Sequence, residues 1–367
     1  MIDAPPLPPP AITAPAAYEV SFGLVAGTAP AGTRRVIVRV ADRVVADRPL
    51  RGTRFSLRVD VPETVASLRV TAVDGAGRRS SSSVGPVIGL PQGAAPRAVA
   101  PQLDAALSRT VVGLARGFQG TSGVYVQDLG TGRGAAWNAA ARFPAASTLK
   151  LAIAVAVLRA HDGKPAYGSR VGELLRSMLV DSDNDAANAL EVWLGGSTGA
   201  GSTRVNETMR ALGLNDSEMY GGYERTTQRT AAPIPNRVES QPAFGVGKFT
   251  TAWDLARLAR AIYLGSAGKG PLPALGVTPS EARHLLWLLE YVGDRGTKLD
   301  RYKAPNAWFS VLHKAGWLPT ARHDNGIVYW RGGAFVAAVM TWNSNGVGSS
   351  ADILAGRVAL ESFKRFR

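Results

Sequence analysis

The stretch that most constrains the fold is residues 149–158 (LKLAIAVAVL), in which Lys150 is the only charged residue. A helix without a polar face has to be buried on all sides. The run is about half the roughly 20 residues that a membrane span requires, so it predicts a central core helix. Pro144 and Ser147 come just before it, as expected where a helix begins.

Ser147 and Lys150 are three residues apart, which places their side chains on one helical face. A lysine rooted in apolar surface loses hydration, and desolvation lowers the pKa of its amine. A serine beside a neutral lysine is an activated nucleophile. The alternative is structural: the serine caps the helix, and the lysine buries its stem while its charge reaches water. The S-x-x-K spacing alone leaves both interpretations open.

Composition narrows the class of protein. A chain of 367 residues is too long for one ordinary domain, so two domains are expected. The absence of cysteine excludes disulfides, thiolate zinc sites and cysteine nucleophiles. The net charge of +14 fits either an arginine-rich coding bias or attraction to a polyanion such as an anionic cell wall. No basic cluster is interleaved with aromatic residues, which argues against nucleic acid as a partner.

The sequence shows neither a metal-ligand pattern nor a signal peptide. Its four histidines are too scattered for a metal site, so they are predicted to be surface or structural residues: His161, His284, His313 and His323. No metal or other cofactor is therefore expected. The first residues (MIDAPPLPPPAITAPAAY) lack the basic start and apolar core of an export signal, and no transmembrane segment is predicted.

The first part of the chain predicts a small β-sandwich. Residues 1–16 are rich in proline and alanine, which is typical of an extended tether. Residues 17–90 contain short alternating runs such as 55–61 (FSLRVDV), separated by turn residues. The stretch 70–77 and the serine run after it resemble the closing strands of bacterial Ig-like or fibronectin-type modules. Residues 91–101 (PQGAAPRAVAP) read as a linker.

Residues 102–367 predict an α+β domain, because helical periods alternate with short strands. Helices are predicted at 103–118, 149–158, 172–179, 186–194, 203–212, 251–264, 279–289 and 351–366. Strands are predicted at 123–128, 135–137, 309–314, 325–330 and 334–342. The long irregular stretch at 213–248 is of the kind that is usually functional or disordered.

Three short motifs occur in order within this domain: Ser147-x-x-Lys150, Ser182-Asp183-Asn184 and Lys314-Ala315-Gly316. Taken singly, the second could cap a helix and the third could be an ordinary strand end. Together they match the S-x-x-K, S-D-N and K-T-G signature of class A β-lactamases and penicillin-binding proteins. Residues 101–367 resemble this penicillin-recognising family, including the segments 123–157 and 182–190.

The resemblance implies a β-lactamase-like fold: an antiparallel sheet flanked by helices, with a helical subdomain, here preceded by the small β-sandwich. It also implies that Ser147 forms an acyl-enzyme, that Lys150 takes its proton and that Ser182 passes a proton to the leaving nitrogen. Substrate binding would fall to Asn184, Lys314, Gly316, Trp317 and Arg322. In that scheme Asn184 holds a side-chain amide and Lys314 the carboxylate, with Arg322 as a second carboxylate ligand. The backbone N–H groups of Ser147 and Trp317 form the oxyanion hole.

The sequence departs from the family pattern in three places. Ala315 replaces the hydroxyl residue of the third motif, which removes one expected carboxylate contact. The interval between Ser147 and Ser182 is short, so a reduced helical subdomain is expected. No E-x-x-L-N pattern marks the glutamate that activates water for deacylation. Glu224 is our candidate for that base, and Glu239 is the alternative.

We therefore expect a secreted or envelope-associated serine β-lactamase that acts as a monomer on a small-molecule β-lactam. The first alternative is a D,D-peptidase acting on peptidoglycan stem peptides, which would share the Ser147 acyl-enzyme. The second is a non-catalytic homologue that binds the anionic cell wall, favoured by Ala315 and the basic charge.

Overall fold

The computed structural model describes residues 5–219, 233–245, 247–293, 297–302 and 309–367. The chain divides into two compact units, Met1–Ala95 and Pro96–Arg367. The boundary lies inside the proline- and alanine-rich segment 91–101. Each unit has a separate hydrophobic core.

The first unit is a small β-rich module with two sheets. Its described strands are β1 (Ala11–Ala14), β2 (Glu19–Ser21), β3 (Leu24–Thr28), β4 (Thr33–Val40), β5 (Arg43–Pro49), β6 (Arg54–Arg58), β7 (Val65–Asp74) and β8 (Arg79–Gly89). One sheet has the order β2-β8-β7-β4-β5 and the other β1-β3-β6. Val38 and Val70 from the first sheet share a buried cluster with Val25 and Phe55 from the second. The two sheets therefore enclose one apolar core, as in a sandwich. Its assignment as Ig-like stays a prediction.

The N-terminal segment departs from the predicted tether. Ala11–Ala14 forms β1 and pairs with β3. Just before it, the carbonyls of Pro8 and Pro10 accept hydrogen bonds from the hydroxyls of Ser80 and Ser82, at 2.6 and 2.5 Å. Proline cannot donate to a ladder but can accept, which suits it to a sheet edge. Ala11–Ala14 is thus part of the sandwich and not of a tether, because the open edge of β3 offers it partners.

The second unit is built on a six-stranded sheet of order β14-β15-β16-β10-β11-β9. Its strands are β9 (Gln102–Leu103), β10 (Thr121–Asp128), β11 (Arg133–Trp137), β14 (Ser310–Leu318), β15 (Ala321–Trp330) and β16 (Gly333–Trp342), and β12 (Phe143–Pro144) pairs separately with β13 (Phe249–Thr250). Neighbouring strands are antiparallel except β9, which runs parallel to β11. Among the described strands, β14 lies at one edge of this sheet, next to β15.

Helices cover the sheet and form a subdomain beside it. Those described are α1 (Ala105–Arg116), α2 (Lys150–Ala160), α3 (Arg170–Arg176), α4 (Asn184–Gly195), α5 (Thr198–Ala211), α6 (Ala252–Gly265), α7 (Pro279–Leu289) and α8 (Ser349–Phe366). Val111 of α1 and Val358 of α8 join Val126 and Val339 of the sheet in one core cluster. The helix α6 packs against β10, β15 and β16, while α2, α3, α4 and α5 pack among themselves. The predicted α+β, β-lactamase-like fold is confirmed.

The apolar run is the buried helix that its composition predicts. Every residue from Lys150 to Leu158 in α2 is buried. The helix begins three residues later than Ser147, which lies in a preceding turn. Several other segments differ in extent from their predictions: α1 is shorter, α5 begins at Thr198, β14 continues to Leu318, β15 begins at Ala321, and a π-helical turn covers Ser177–Asp181. Within the described residues, no helix is long and apolar enough to cross a membrane.

Candidate active site

Ser147 lies in a turn that is held from several sides. The amide of Ala145 donates to the carbonyl of Lys248 at 2.9 Å, next to the β12–β13 pair. The hydroxyl of Thr148 closes the turn by donating to the carbonyl of Ala145 at 2.6 Å. Between them, Ala146 has a φ of 49°, a left-handed conformation that costs of the order of 1–3 kcal/mol outside glycine. These contacts maintain the strain and leave Ser147 partly exposed.

Lys150 reaches from α2 to the second motif. Its side chain is buried, and Nζ donates to Asn184 Oδ1 at 2.7 Å and, over a very short contact, to the carbonyl of Ser182. Ser182 Oγ lies 3.4 Å from the same amine. Burial, together with the positive charges of Lys314 and Lys248, lowers the pKa of Lys150 to about 8. The amine is therefore partly neutral near neutral pH, as a general base must be.

Ser182 occupies a second strained position. It follows the π-helical turn with a φ of 59°. Asp183 then caps α4, since its side chain accepts from the amides of Asp185 and Ala186 at 2.8 and 3.3 Å. Sequence analysis offered capping and catalysis as alternative interpretations of this motif. The structure shows that Asp183 caps the helix while the residues on either side contact the lysine.

The third motif, on β14 of the sheet, contributes a second lysine to this group of side chains. Lys314 of β14 is buried, and its Nζ donates to Ser182 Oγ at 2.9 Å. The side-chain amide of Asn325 on β15 donates to the Lys314 carbonyl at 2.8 Å, which holds the strand in place. Ser182 Oγ thus lies between two lysine amines. Because an ammonium group only donates, the hydroxyl accepts from Lys314 and can direct its own proton elsewhere.

Gly316 allows β14 to approach the turn at residues 145–148, called the nucleophile turn after the predicted role of Ser147. A Cβ atom at this position would lie 2.7 Å from the Ser147 amide nitrogen and 3.0 Å from that of Thr148. Any larger residue would push the strand and the turn apart. The Ser147 N–H therefore lies directly beside the β14 edge, where the predicted second donor, the N–H of Trp317, follows. The Trp317 side chain is 66% exposed.

The remaining predicted substrate ligands differ in how far their polar groups are already engaged by other side chains. Asn184 uses Oδ1 for Lys150, and its NH₂ group has no partner among the described residues. Ala315 is buried opposite Asp324 on β15. Arg322 donates Nε to Asp352 of α8 at 2.7 Å. That ion pair offsets the charge of Arg322, and its role as a carboxylate ligand stays a prediction.

The two candidate deacylation bases are not equally placed. Glu224 lies outside the described residues. Glu239 is exposed, and its amide donates to Asn138 Oδ1 at 2.6 Å, just beyond the end of β11. No contact joins Glu239 to Ser147 or Lys150 in the described part of the chain.

Sequence analysis did not assign three groups to this site: Glu191 and His323, which are buried, and Lys248, which is half-buried. Glu191 of α4 is buried and accepts from Ser202 Oγ at 2.8 Å, and its burial raises its pKa. Burial lowers the pKa of Lys248, while the nearby charge of Glu191 opposes that shift. His323 of β15 is buried against the carbonyl of Pro144 at 2.7 Å. A signal existed for Glu191, which lies seven residues after Asn184 on the same face of α4.

The described residues contain no cluster of histidine or acidic side chains that could hold a metal ion. What the site does contain is a partly exposed serine, a buried lysine with a lowered pKa, and a hydroxyl between two lysines. This set of groups can carry out proton transfer and nucleophilic attack on a carbonyl carbon.

Comparison with solved structures supports the fold that carries these groups. The solved structures with a similar fold include the β-lactamase of Sphaerobacter thermophilus, with a TM-score of 0.52 and 22% identity over 72% of this chain and 98% of that one. The β-lactamase of Streptomyces albus G has a TM-score of 0.54 and 22% identity, over 72% of this chain and 100% of that one. PBP-A has a TM-score of 0.55 and 21% identity, over 73% and 98%.

At these identities the solved structures show a shared fold. No curated protein sequence matches the chain. The profile of the beta-lactamase enzyme family, however, matches residues 105–166 and 161–366, which is nearly all of the second unit. The chain therefore belongs to the beta-lactamase enzyme family.

Proposed function

We propose that this protein is a serine hydrolase that opens β-lactams through an acyl-enzyme on Ser147. The observation that carries the proposal is the hydrogen-bonded series Lys150–Ser182–Lys314, which lies next to the turn that presents Ser147. Two lysines that converge on one hydroxyl have no evident structural purpose, because burying like charges together is destabilising. They do suit a reaction that moves a proton from a serine to a leaving nitrogen.

Acylation follows from these positions. With a pKa of about 8, roughly a tenth of Lys150 is neutral at pH 7. The neutral amine takes the Ser147 proton as Oγ bonds to the lactam carbonyl carbon. The Ser147 N–H, at the edge of β14, stabilises the oxyanion that forms. The C–N bond then breaks, Ser182 gives its proton to the nitrogen, and Lys150 returns a proton to Ser182.

Substrate binding depends on the same cations. β-Lactams and peptidoglycan stem peptides both carry a carboxylate, which Lys314 attracts. The NH₂ group of Asn184 is available for a carbonyl oxygen of the substrate side chain. Ala315 offers no hydroxyl to the carboxylate, so Lys314 carries a larger share of that recognition. Substrates of this kind are found outside the cytoplasm, and we propose a secreted or envelope-associated location.

Deacylation distinguishes the two enzymatic candidates. A β-lactamase needs a carboxylate that activates water against the ester, and Glu224 remains our candidate. The peptidase alternative is supported by the similarity to PBP-A, a variant of which was solved as an acyl-enzyme with penicillin G. Both functions share acylation at Ser147 and differ in how fast water reaches the ester.

The test is a stopped-flow trace with a chromogenic cephalosporin, using wild type and Ser147→Ala. Full turnover supports a β-lactamase, whereas a burst of one equivalent followed by a plateau supports the peptidase. No reaction in the wild type would favour the non-catalytic homologue. Fluorescent penicillin provides the control, because it should label the wild type and leave Ser147→Ala unlabelled. Labelling that persists in Ser147→Ala would refute the nucleophile assignment.

A further inference from the structure

His323 is a buried imidazole that the proposed reaction does not use. It is 1% exposed and lies on β15, in register with Gly316 of β14. One ring nitrogen, Nε2, is 2.7 Å from the carbonyl of Pro144, and the other, Nδ1, is 3.2 Å from the amide of Thr341 on β16. The ring therefore joins two sheet strands to the segment that leads into the nucleophile turn.

These contacts determine which nitrogen carries the proton. The amide of Thr341 can only donate, so Nδ1 accepts and the single ring proton is on Nε2. Nε2–H then donates to the Pro144 carbonyl. Burial lowers the pKa of His323 to about 4, so the ring is neutral and keeps this arrangement at physiological pH. Phe143 packs edge-on against it, with ring centroids 5.9 Å apart.

The position of Pro144 gives this hydrogen bond its significance. It lies three residues before Ser147 and immediately before Ala145, whose amide is bonded to Lys248. On the strand next to His323, Gly316 approaches the Ser147 amide so closely that a Cβ would be 2.7 Å away. His323 is paired with Gly316 across the β14–β15 ladder. It therefore contacts the segment just before Ser147 and is paired with the glycine that approaches the Ser147 amide, where the proposed oxyanion pocket lies.

We propose that His323 is a positioning residue that sets the distance between the Ser147 N–H and the edge of β14. It acts through the Pro144 carbonyl and the sheet, and touches no reacting atom. The inference rests on the proposed function, because an oxyanion pocket matters only if Ser147 attacks a carbonyl or an analogous centre. Displacement of a catalytic group by about 1 Å can slow a reaction by about 100-fold.

His313 shows what a purely structural histidine looks like in this sheet. It is buried on β14, and its Nδ1 donates to both carboxylate oxygens of Asp324 at 2.9 Å. Asp324 also accepts from the amide of Leu299 at 3.1 Å. All these partners lie within the sheet or beside it, and none belongs to the nucleophile turn. His323 differs because its Nε2 proton reaches that turn.

The experiment compares three variants of the full-length protein. His323→Phe keeps a ring against Phe143 and removes both hydrogen bonds. His323→Gln keeps a side-chain N–H that can reach the Pro144 carbonyl. The matched control is His284→Phe, the same change at a buried histidine of α7 that stacks on Trp287. Circular dichroism and thermal melts give the folded fraction, and rates are corrected for it.

The probe is a fluorophosphonate, which reacts with an activated serine without requiring β-lactam chemistry. Serine Oγ bonds to phosphorus, fluoride leaves, and the serine proton passes to Lys150. His323→Phe should lower the maximal rate about 100-fold, with the half-saturating concentration changed by less than about threefold. His323→Gln should recover most of the rate, and His284→Phe should react like the wild type. Penicillin acylation should follow the same order.

Each other outcome has a definite meaning. The inference is wrong if His323→Phe reacts at nearly the wild-type rate, or if His284→Phe is slowed as much. It is also wrong if His323→Gln is no faster than His323→Phe. A wild type that reacts with the fluorophosphonate but not with penicillin would refute the proposed function, and the His323 series would still be read from the fluorophosphonate. A wild type inert to both probes would overturn both proposals.

Discussion

The two units differ in whether they bury basic side chains. Every described arginine of the sandwich is exposed or half-buried, and Arg35 pairs with Asp47 at its surface. In the second unit, Lys150 is 2% exposed and Lys314 is 1% exposed. The hydrogen-bond partners of Lys150 in the described residues are neutral oxygens.

This difference has an energetic meaning. Exposed ion pairs are screened by water and contribute little to stability. A buried amine without a carboxylate contact loses its hydration, and the loss is visible as the lowered pKa of Lys150. A fold that keeps such a group gives up stability for reactivity. The cations of the sandwich are consistent with solubility, whereas the burial of Lys150 and Lys314 is consistent with the proposed chemistry.

The largest effect is expected for Lys150→Met, which removes the buried amine and keeps the volume of its stem. Acylation by penicillin should slow by about 10²–10⁴-fold, the usual contribution of a general base. The melting temperature should rise or stay constant, because a desolvated charge has been removed. Rapid-quench acylation and a thermal melt measure the two effects. Wild-type acylation together with a lowered melting temperature would show that Lys150 is structural.

Gly316→Ala should have the next largest effect, because the new methyl group would press on the Ser147 amide. We expect a loss of about 10²–10³ in the acylation rate, similar to removal of one oxyanion donor. Gly113→Ala is the control: this helical position of α1 has open space, and alanine there should stabilise the protein by about 0.4–1 kcal/mol. Unchanged acylation in Gly316→Ala would mean that the pocket lies elsewhere.

The pH dependence of acylation should sharpen the role of the lysines. Lys150 must be neutral to take the serine proton, so the rate should rise with pH and level off above about 8. Lys248→Met removes a positive charge that lowers this pKa, so the rising limb should move to higher pH with little change in its plateau. Lys364→Met removes an exposed lysine of α8 paired with Glu361 and should leave the limb in place. If the rising limb of the pH profile stays in place in Lys248→Met, the charge of Lys248 does not act on Lys150.

The free energy of unfolding should also depend on the protonation of Lys150, and it should increase with pH. The folded-state pKa of Lys150, about 8, is below its ordinary value of 10.5. Between these two pKa values the unfolded chain binds more protons than the folded one. The free energy of unfolding of the wild type therefore rises with pH over this range, because the cost of burying a charged Lys150 amine falls. The advantage of Lys150→Met over the wild type should therefore shrink from pH 8 to pH 10.5. Denaturant melts of both proteins across this range measure it.

The smallest effect is expected from removing the sandwich. All of the proposed catalytic groups lie in the unit Pro96–Arg367, which has its own core. A chain that begins at Pro96 should fold and retain the wild-type kcat with a chromogenic cephalosporin. A large loss of kcat with an intact far-UV spectrum would show that the first unit shapes the active site.

Much of the fold followed from local patterns. The run at 149–158 predicted a buried helix because no polar face was available, and α2 is such a helix. Local patterns also predicted the longer strands of both units, but not the short strands β9, β12 and β13. The errors lie where a pairing partner outside the segment decides: Ala11–Ala14 became a strand because β3 offered an open edge. The strand β14 extends to Leu318 because β15 pairs along its whole length.

For the site, the sequence by itself determined the chemical groups and their order along the chain. The three motifs predicted five site residues without any coordinates: Ser147, Lys150, Ser182, Asn184 and Lys314. Only the tertiary structure decided how they meet, because Ser182 and Lys314 are 132 residues apart and their contact depends on the sheet's topology. It also decided that Arg322 binds Asp352 and that His323 supports the nucleophile turn. No local pattern encodes such pairings, since burial and hydrogen-bond partners are properties of the packed chain and not of a segment.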